Sequence, residues 1–410
     1  MNNDKLKKKG DSLYCNDSKM RVNLEQESNL DNSKQNVAYE LLYLLACEIN
    51  SITPKVSHVD IDRLYALAKA HSLTAITAMS LESAGIEIAD KWGEVKAKAF
   101  YNSILFDNAR AQLISFMEQN GIWYLPLKGI VLKELYPKMG MREMSDNDIL
   151  YDYHFQNQIK SFMTGLGYTA KHVGRSHHDI YTKPPIYNFE LHVQLISELT
   201  DQTIFKYYSD VKNRLVKDDD SKCGYHFTNE DFYIYMIVHM FKHYSNGGTG
   251  LRSLLDCYVF LHAKGDSLNR DYINRELCTL GLLEFEGSVR ELAMKVLGTQ
   301  MYKSPDVLDV LTETEKSLLD EFILSGTYGT KQQHFEKRFD NYTAKVGSQS
   351  KLRYLLSRLF PDAKFFEYYA PFFGRHPIFL PFGWIYRAIK ALVTNRRNII
   401  EEIKIVARKK

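Results

Sequence analysis

No uninterrupted apolar run in the 410 residues approaches the roughly eighteen that a bilayer-spanning helix requires. The Lys-rich start, Lys5-Leu6-Lys7-Lys8-Lys9, lacks the apolar segment and small-residue cleavage site of a secretory signal. Together these absences point to a cytoplasmic protein. Cysteine is scarce: Cys15, Cys47, Cys223, Cys257 and Cys278 are odd in number, far apart and form no Cys-x-x-Cys pair. That pattern predicts reduced thiols rather than a structural zinc site or a disulfide framework. Glycine clusters only once, at Asn246-Gly247-Gly248-Thr249-Gly250, a run too short and wrongly spaced for a Walker loop or a Rossmann fingerprint. Excess charge is small, +3 overall. From Tyr386 onward eight Lys or Arg meet only Glu401 and Glu402, a net +6, so the rest of the chain is slightly acidic. A broad basic surface for a long nucleic acid is therefore not expected.

What remains is ordinary globular material, 45% hydrophobic and 25% charged, long enough for two or three domains with large cores. Residues 1–35 are polar without sustained periodicity and read as a disordered N-terminal segment. A helical region follows over 36–120. Its stripes include Leu41-Leu42 with Leu44-Leu45, helices are expected at about 60–70, 72–84 and 92–120, and the last ends at a capping Gly121. Residues 121–226 alternate short strands with turns and one helix, about 154–164. A helical domain is expected over 227–330, opening with two antiparallel helices across the glycine run; Ser304-Pro305 and Thr312 with Glu315 mark later helix starts. Residues 331–384 read as an irregular aromatic and proline-rich segment, with an irregular excursion over 327–350 and a helix broken at Pro361 beyond it. A basic C-terminal helix is expected over 385–410. Its stripe, Ile389, Leu392-Val393, Ile399-Ile400, Ile403 and Val406, suits docking on the protein or, beside Trp384, contact with a membrane surface.

The chemistry concentrates in Pro126 to Tyr151. An apolar strand, Ile122 to Leu127, turns at Lys128-Gly129 into a helix, and a loop carrying Arg142 leads to a second strand opening with Asp146-Asn147-Asp148. Alternation along a strand sends Asp146 and Asp148 to one side and Asn147 to the other, with the two carboxylates roughly 6 to 7 Å apart along the backbone. Such a pair suits one or two magnesium ions shared with substrate phosphates. An Asp-x-Asp triplet is also a common turn or helix cap. Here the Gly129 helix start offers amides to a phosphate and Lys128 a cation, with Arg142 close by. Downstream, Tyr187 to Leu195 alternates, with Glu190, His192 and Gln194 on one face, which serves either a site or a solvated strand edge. His172, His177 and His178 span a probable turn with no recognisable metal-ligand spacing. His239 and His243 lie four apart on one helical face, as do Arg252 and Asp256; both pairs suit polar residues pinning two helices or lining a cleft.

The pieces Leu127-Lys128-Gly129, Leu135-Tyr136-Pro137, Arg142, Asp146 with Asp148, and Phe189-Glu190-Leu191-His192 occur in the order that resembles the polymerase-beta-like nucleotidyltransferase superfamily. They are similar in particular to a bacterial group of uncharacterised nucleotidyltransferase family proteins. Two departures are Ile130, where the superfamily has a serine after the glycine, and polar Asn147, where it has an aliphatic residue. The resemblance implies an α+β fold: a small mixed sheet flanked by helices, with additional mainly helical regions. It also implies that Glu190 is the third carboxylate, completing a two-metal Mg2+ site with Asp146 and Asp148, and that His192 orients Glu190 or a phosphate. The implied activity is magnesium-dependent transfer of a nucleoside monophosphate from a nucleoside triphosphate such as ATP to an acceptor hydroxyl, releasing pyrophosphate. The acceptor is not specified by the sequence; the lack of a broad basic surface outside the tail favours a small molecule or protein over a nucleic acid. The alternative is an inactive member that binds a nucleotide or a partner protein.

Overall fold

The structure is a computed structural model that describes residues 32–408, apart from short stretches at 57–58, 172, 175, 199–200, 300–301, 303–309, 328, 348–349 and 395. The expectations for residues 1–31, His172 and Ser304-Pro305 lie outside the described residues. The architecture is α+β, as the resemblance implied.

Four helices come first: α1 (Asn32–Ile49), α2 (Ile61–Ala70), α3 (Thr74–Ser83) and α4 (Asp90–Gln119). The leucine stripe of α1 is buried completely, at Leu41, Leu44 and Leu45. Helix α4 ends where expected, with Gly121 in the left-handed region just beyond it. The chain then builds β1 (Tyr124–Pro126), the short helix α5 (Gly129–Leu132), β2 (Asn147–Tyr151), α6 (Gln156–Gly165), β3 (Thr169–Lys171), β4 (His178–Lys183) and β5 (Tyr187–His192). The five strands form one mixed sheet in the order β1-β2-β5-β4-β3, with β2 and β5 parallel and the other pairs antiparallel. Helix α7 (Gln202–Tyr207) and a small ribbon of β6 (Leu215–Lys217) and β7 (Tyr225–Phe227) lead into α8 (Asn229–Asn246) and α9 (Leu251–Lys264).

All five residues of β2 are buried because both faces of the sheet are covered. Ile149, Tyr151, Phe189 and Leu191 point into a core shared with Phe106, Leu113 and Met117 of α4 and Ile159 and Met163 of α6. Leu125 and Leu150 point the other way, into a larger core with α1, α3, α8 and α9. Asp148 precedes Leu150 by two residues and so faces that helical side.

Helices α10 (Arg270–Thr279), α11 (Leu283–Leu297) and α12 (Glu313–Ser325) complete the larger core, and Thr312 with Glu315 forms the expected capping box. The expected irregular excursion over 327–350 is instead helix α13 (Lys331–Val346). It starts from a second capping box, Thr330 with Gln333, and Phe335, Phe339, Tyr342 and Val346 recur at helical spacing along it. Beyond it lie α14 (Lys351–Leu359), the break at Pro361, α15 (Ala363–Tyr369), α16 (Pro371–Arg375), α17 (Leu380–Thr394) and α18 (Arg396–Arg408). The single helix expected over 385–410 is thus two, the first opening at Leu380 with Pro381 in its first turn, where proline's missing N–H costs nothing. Helix α18 docks as one reading anticipated. Val406 is buried with Phe339 and Tyr354, and Glu402 accepts from Tyr354 and Arg358. Cys47, Cys223 and Cys257 are free, buried thiols, and Cys15 lies outside the described residues. No helix among the described residues is long and apolar enough to cross a membrane.

Candidate functional site

The turn from β1 into α5 delivers the first group. Lys128 has φ near +47°, a left-handed conformation that a side chain bearing a Cβ rarely adopts and that costs on the order of 1–3 kcal/mol. Its Nζ is brought 2.6 Å from Asp148 Oδ1. Lys128, expected to meet phosphate, therefore meets a carboxylate. At the next position a Cβ would collide with the Arg142 guanidinium, so only glycine fits at Gly129. The helix it opens is one turn long, and the N–H groups of Ile130 and Val131 already donate to Leu127 and Lys128 carbonyls. The amide cradle for phosphate is accordingly smaller than the sequence suggested.

The parallel pairing of β2 with β5 places Asp148 directly opposite Glu190, so the two carboxylates emerge on the same face. His192, two residues on, shares that face, and its Nε2 lies 2.8 Å from Asp148 Oδ1. It therefore holds Asp148, not Glu190 as expected. With Nε2 donating to the carboxylate, Nδ1 is the acceptor nitrogen, and it is buried without a hydrogen-bond partner among the described residues. Asn147 projects oppositely: Arg110 donates to its Oδ1, and its amide donates to the Phe106 carbonyl of α4. The polar residue between the aspartates thus ties β2 to α4.

Negative charge is concentrated and only partly offset. Burial raises Glu190 to about 7, and Asp148 and Asp146 add to the rise. Burial and the neighbouring Asp148 also raise Asp146. Burial alone would raise Asp148 too, but Lys128 and His192 outweigh it and hold that carboxyl far below its ordinary range. Oxygen and nitrogen atoms of Asp148, Glu190 and His192 lie within 4.8 Å of one another, close enough to share one cation. Asp146 lines the same cleft but stands outside that tight trio.

The opposite wall comes from α8 and α9, across a cleft of about 200 Å³. Tyr235, His239 and His243 line it from α8, and Arg252 and Asp256 from α9. Arg252 with Asp256 is not the principal pair. Asp256 takes two hydrogen bonds from Arg142, Nε at 2.8 Å and Nη2 at 3.0 Å, and a third from the Tyr136 hydroxyl. This explains the Leu-Tyr-Pro and Arg positions as a brace between the Gly129 turn and α9. The brace leaves Arg142 Nη1 beside Gly129. His239 and His243 face each other at 3.2 Å, and burial, reinforced by neighbouring lysines, keeps both neutral.

Two groups were missed or undervalued. His178 pairs across β4 and β5 with His192, and ligand atoms of His177, His178 and His192 also fall within 4.8 Å of one another. A linear spacing could not reveal this, because the contact is made by strand register. Lys242 acts electrostatically on Glu190 and Asp148, and burial followed by Lys128 lowers its own pKa. Tyr235, His239 and Lys242 recur at helical spacing within an otherwise apolar helix, a signal that was present in the sequence.

No curated protein and no solved structure matches the chain. A family model described as "Uncharacterised nucleotidyltransferase" matches residues 57–298, more than half of the chain and the whole of the segment that builds both walls of this cleft. The chain therefore belongs to the uncharacterised nucleotidyltransferase family and is a nucleotidyltransferase.

Proposed function

We propose that the protein transfers a nucleoside monophosphate from a nucleoside triphosphate to an acceptor hydroxyl, with Asp146, Asp148 and Glu190 as the residues that hold Mg2+. The reading rests on the in-register pair Asp148 and Glu190, two carboxylates forced onto one face of a buried sheet and incompletely neutralised. A carboxyl raised to about 7 by burial, with Asp148 and Asp146 adding to the rise, suits a site that takes added positive charge. The donor set therefore fits a hard divalent cation. When bound, such ions neutralise the phosphates and the oxygens that attack and leave.

The protein's own groups divide the remaining work. His192 and Lys128 fix the rotamer of Asp148. Lys128 stands where it can exchange Asp148 for a phosphate oxygen, since a flexible ammonium can turn between acceptors. Arg142, braced by Asp256, presents its remaining nitrogen beside Gly129, where the triphosphate would run. Glu190 accepts the proton of the attacking hydroxyl, a role its carboxylate can take once a bound cation has displaced its own proton. The acceptor is a small molecule or a protein side chain, because the cleft is narrow and the chain's basic excess lies at its C-terminal end.

The inactive alternative has one observation in its favour: Ile130, in place of a phosphate-binding hydroxyl, is packed into the core behind the sheet. Isothermal titration with nucleoside triphosphates and Mg2+, followed by assays of pyrophosphate release over a panel of acceptors, separates the two. Binding that needs Mg2+ and is lost in Asp148→Asn, with turnover, supports transfer; binding without turnover across the panel supports the inactive form.

A further inference from the structure

The last 60 residues differ from the rest of the chain in charge and in what they expose. Residues 351–410 carry thirteen Lys or Arg against four Asp or Glu, a net +9, so the first 350 residues carry a net −6. The same segment leaves large apolar side chains in water. Ile378 is 82% exposed, Phe382 61%, Ile385 57% and Ile389 59%. Their spacing of four, three and four residues places them along one side of α17 and the turn that precedes it. Phe379 joins this stripe to Phe372, with ring centroids 5.6 Å apart, and lies 6.4 Å from Phe382. Single exposed apolar residues need no explanation, but a continuous row of six does.

The row is not a helix awaiting its place on the protein. Helix α17 is already fastened by its other side: the Trp384 indole N–H donates to the Pro361 carbonyl, and Arg387 donates to the Arg358 carbonyl. Gly383, on that fastened side, is buried against the rings of Phe366 and Phe373. The neighbouring α18 places Val406 in the small core with α13 and α14. The structure thus holds the stripe outward on a supported helix.

The geometry points to an anionic lipid bilayer as the occupant of this face, with α17 lying in the plane of the interface. Helix α17 is 15 residues long, too short to cross a bilayer and suited to lying on one. Phenylalanine and isoleucine enter the acyl boundary, while the exposed Tyr386 suits the headgroup level. Arg375 and Lys390 border the row and are exposed. Their long stems let the charge reach lipid phosphates while the apolar side chains insert. The basic excess of the segment matches a negatively charged surface, to which each nearby cation adds attraction. A protein groove would account for the apolar stripe but not for the charge imbalance between this segment and the rest of the chain. The inference is independent of the nucleotidyl-transfer reading.

The test is flotation of the full-length protein with vesicles of phosphatidylcholine alone and of phosphatidylcholine mixed with phosphatidylglycerol. The protein should float with the mixed vesicles, remain in solution with phosphatidylcholine, and be released by high salt. The double variant Ile378→Glu with Phe382→Glu should lower the bound fraction at least about tenfold, and Ile378→Leu with Phe382→Leu should keep it. Because all these positions are exposed, far-UV circular dichroism and melting temperature should not change. Equal flotation on both vesicle types, or a glutamate variant that floats like the wild type, overturns the proposal. So does absence of vesicle binding, and most specifically if sedimentation velocity finds a dimer that the glutamate variant converts to monomer, since a second copy would then own the face.

Discussion

Glu190→Gln tests the electrostatics of the cleft without requiring knowledge of the acceptor. In the folded protein Glu190 titrates at about 7, against an ordinary value of 4.5. Between those values the native state holds a proton that the unfolded chain has released. Stability from this group is therefore complete below about pH 4.5 and is lost as pH rises through about 7. The interval corresponds to roughly 3 kcal/mol at about 1.4 kcal/mol per decade, and partial access to water reduces it to about 1–2 kcal/mol. Buried neutral histidines work in the opposite direction. His178 and His243, both lowered to about 4 chiefly by burial, lose stability as pH falls below about 6.5. Asp148, held far below its ordinary range, contributes a constant amount across this window. The quantity that isolates Glu190 is thus the difference between variant and wild type, followed from about pH 5 to pH 8 by thermal melting in chelator-treated buffer. Glu190→Gln should gain on the wild type by about 1–2 kcal/mol over that range, a relative rise of about 1–2 °C for a chain of this length. Millimolar Mg2+ should then reverse the order at pH 8, because only the wild type retains the carboxylate that binds it. A variant that tracks the wild type at every pH, with or without Mg2+, would refute both the charge crowding and the metal assignment.

Three further substitutions probe the frame around the acids. Asp148→Asn should reduce nucleotidyl transfer by about a thousandfold or more. It should also destabilise by about 1–3 kcal/mol, because Lys128 and His192 lose the buried negative charge they pair with, although the amide oxygen can still accept; a variant with wild-type pyrophosphate release would exclude Asp148 from the chemistry. Arg142→Met strands the Asp256 carboxylate with Tyr136 alone and should cost about 3–5 kcal/mol in a urea titration. A cost below about 1 kcal/mol would mean that the brace between the Gly129 turn and α9 is not structural. Gly129→Ala forces Arg142 aside and should cost about 1–3 kcal/mol and weaken triphosphate binding, measured by titration calorimetry; unchanged affinity would remove the turn from the binding site.

Much of the site was legible because its signals are local. Asp146 and Asp148 line one cleft, although β2 itself begins at Asn147, and the Lys128-Gly129 turn lies where the sequence marked it. The resemblance supplied Glu190, and strand register then set it opposite Asp148. The partners were less legible. His192 was expected on Glu190 and binds Asp148; Arg252 was matched with Asp256, which Arg142 takes; His177 and His178 appeared to span an idle turn. In each case the decisive contact joins elements far apart along the chain. Helix α13 was overlooked for a different reason: polar and aromatic composition over 327–350 masked a regular spacing of Phe335, Phe339 and Tyr342.

Periodicity, turn chemistry and charge count, each a property of neighbours a few residues apart, were sufficient in this protein to mark helices, an acidic strand entry and a basic end, while the family resemblance supplied the α+β class. Tertiary structure decided which acid meets which base, that Lys128 would be strained to reach Asp148, and that α17 would keep its apolar side in water while α18 buried Val406. The reason is that hydrogen-bond partners and residual exposure depend on distances between segments tens to hundreds of residues apart. Those distances follow from how the sheet and the helices pack against one another, and local pattern does not carry them.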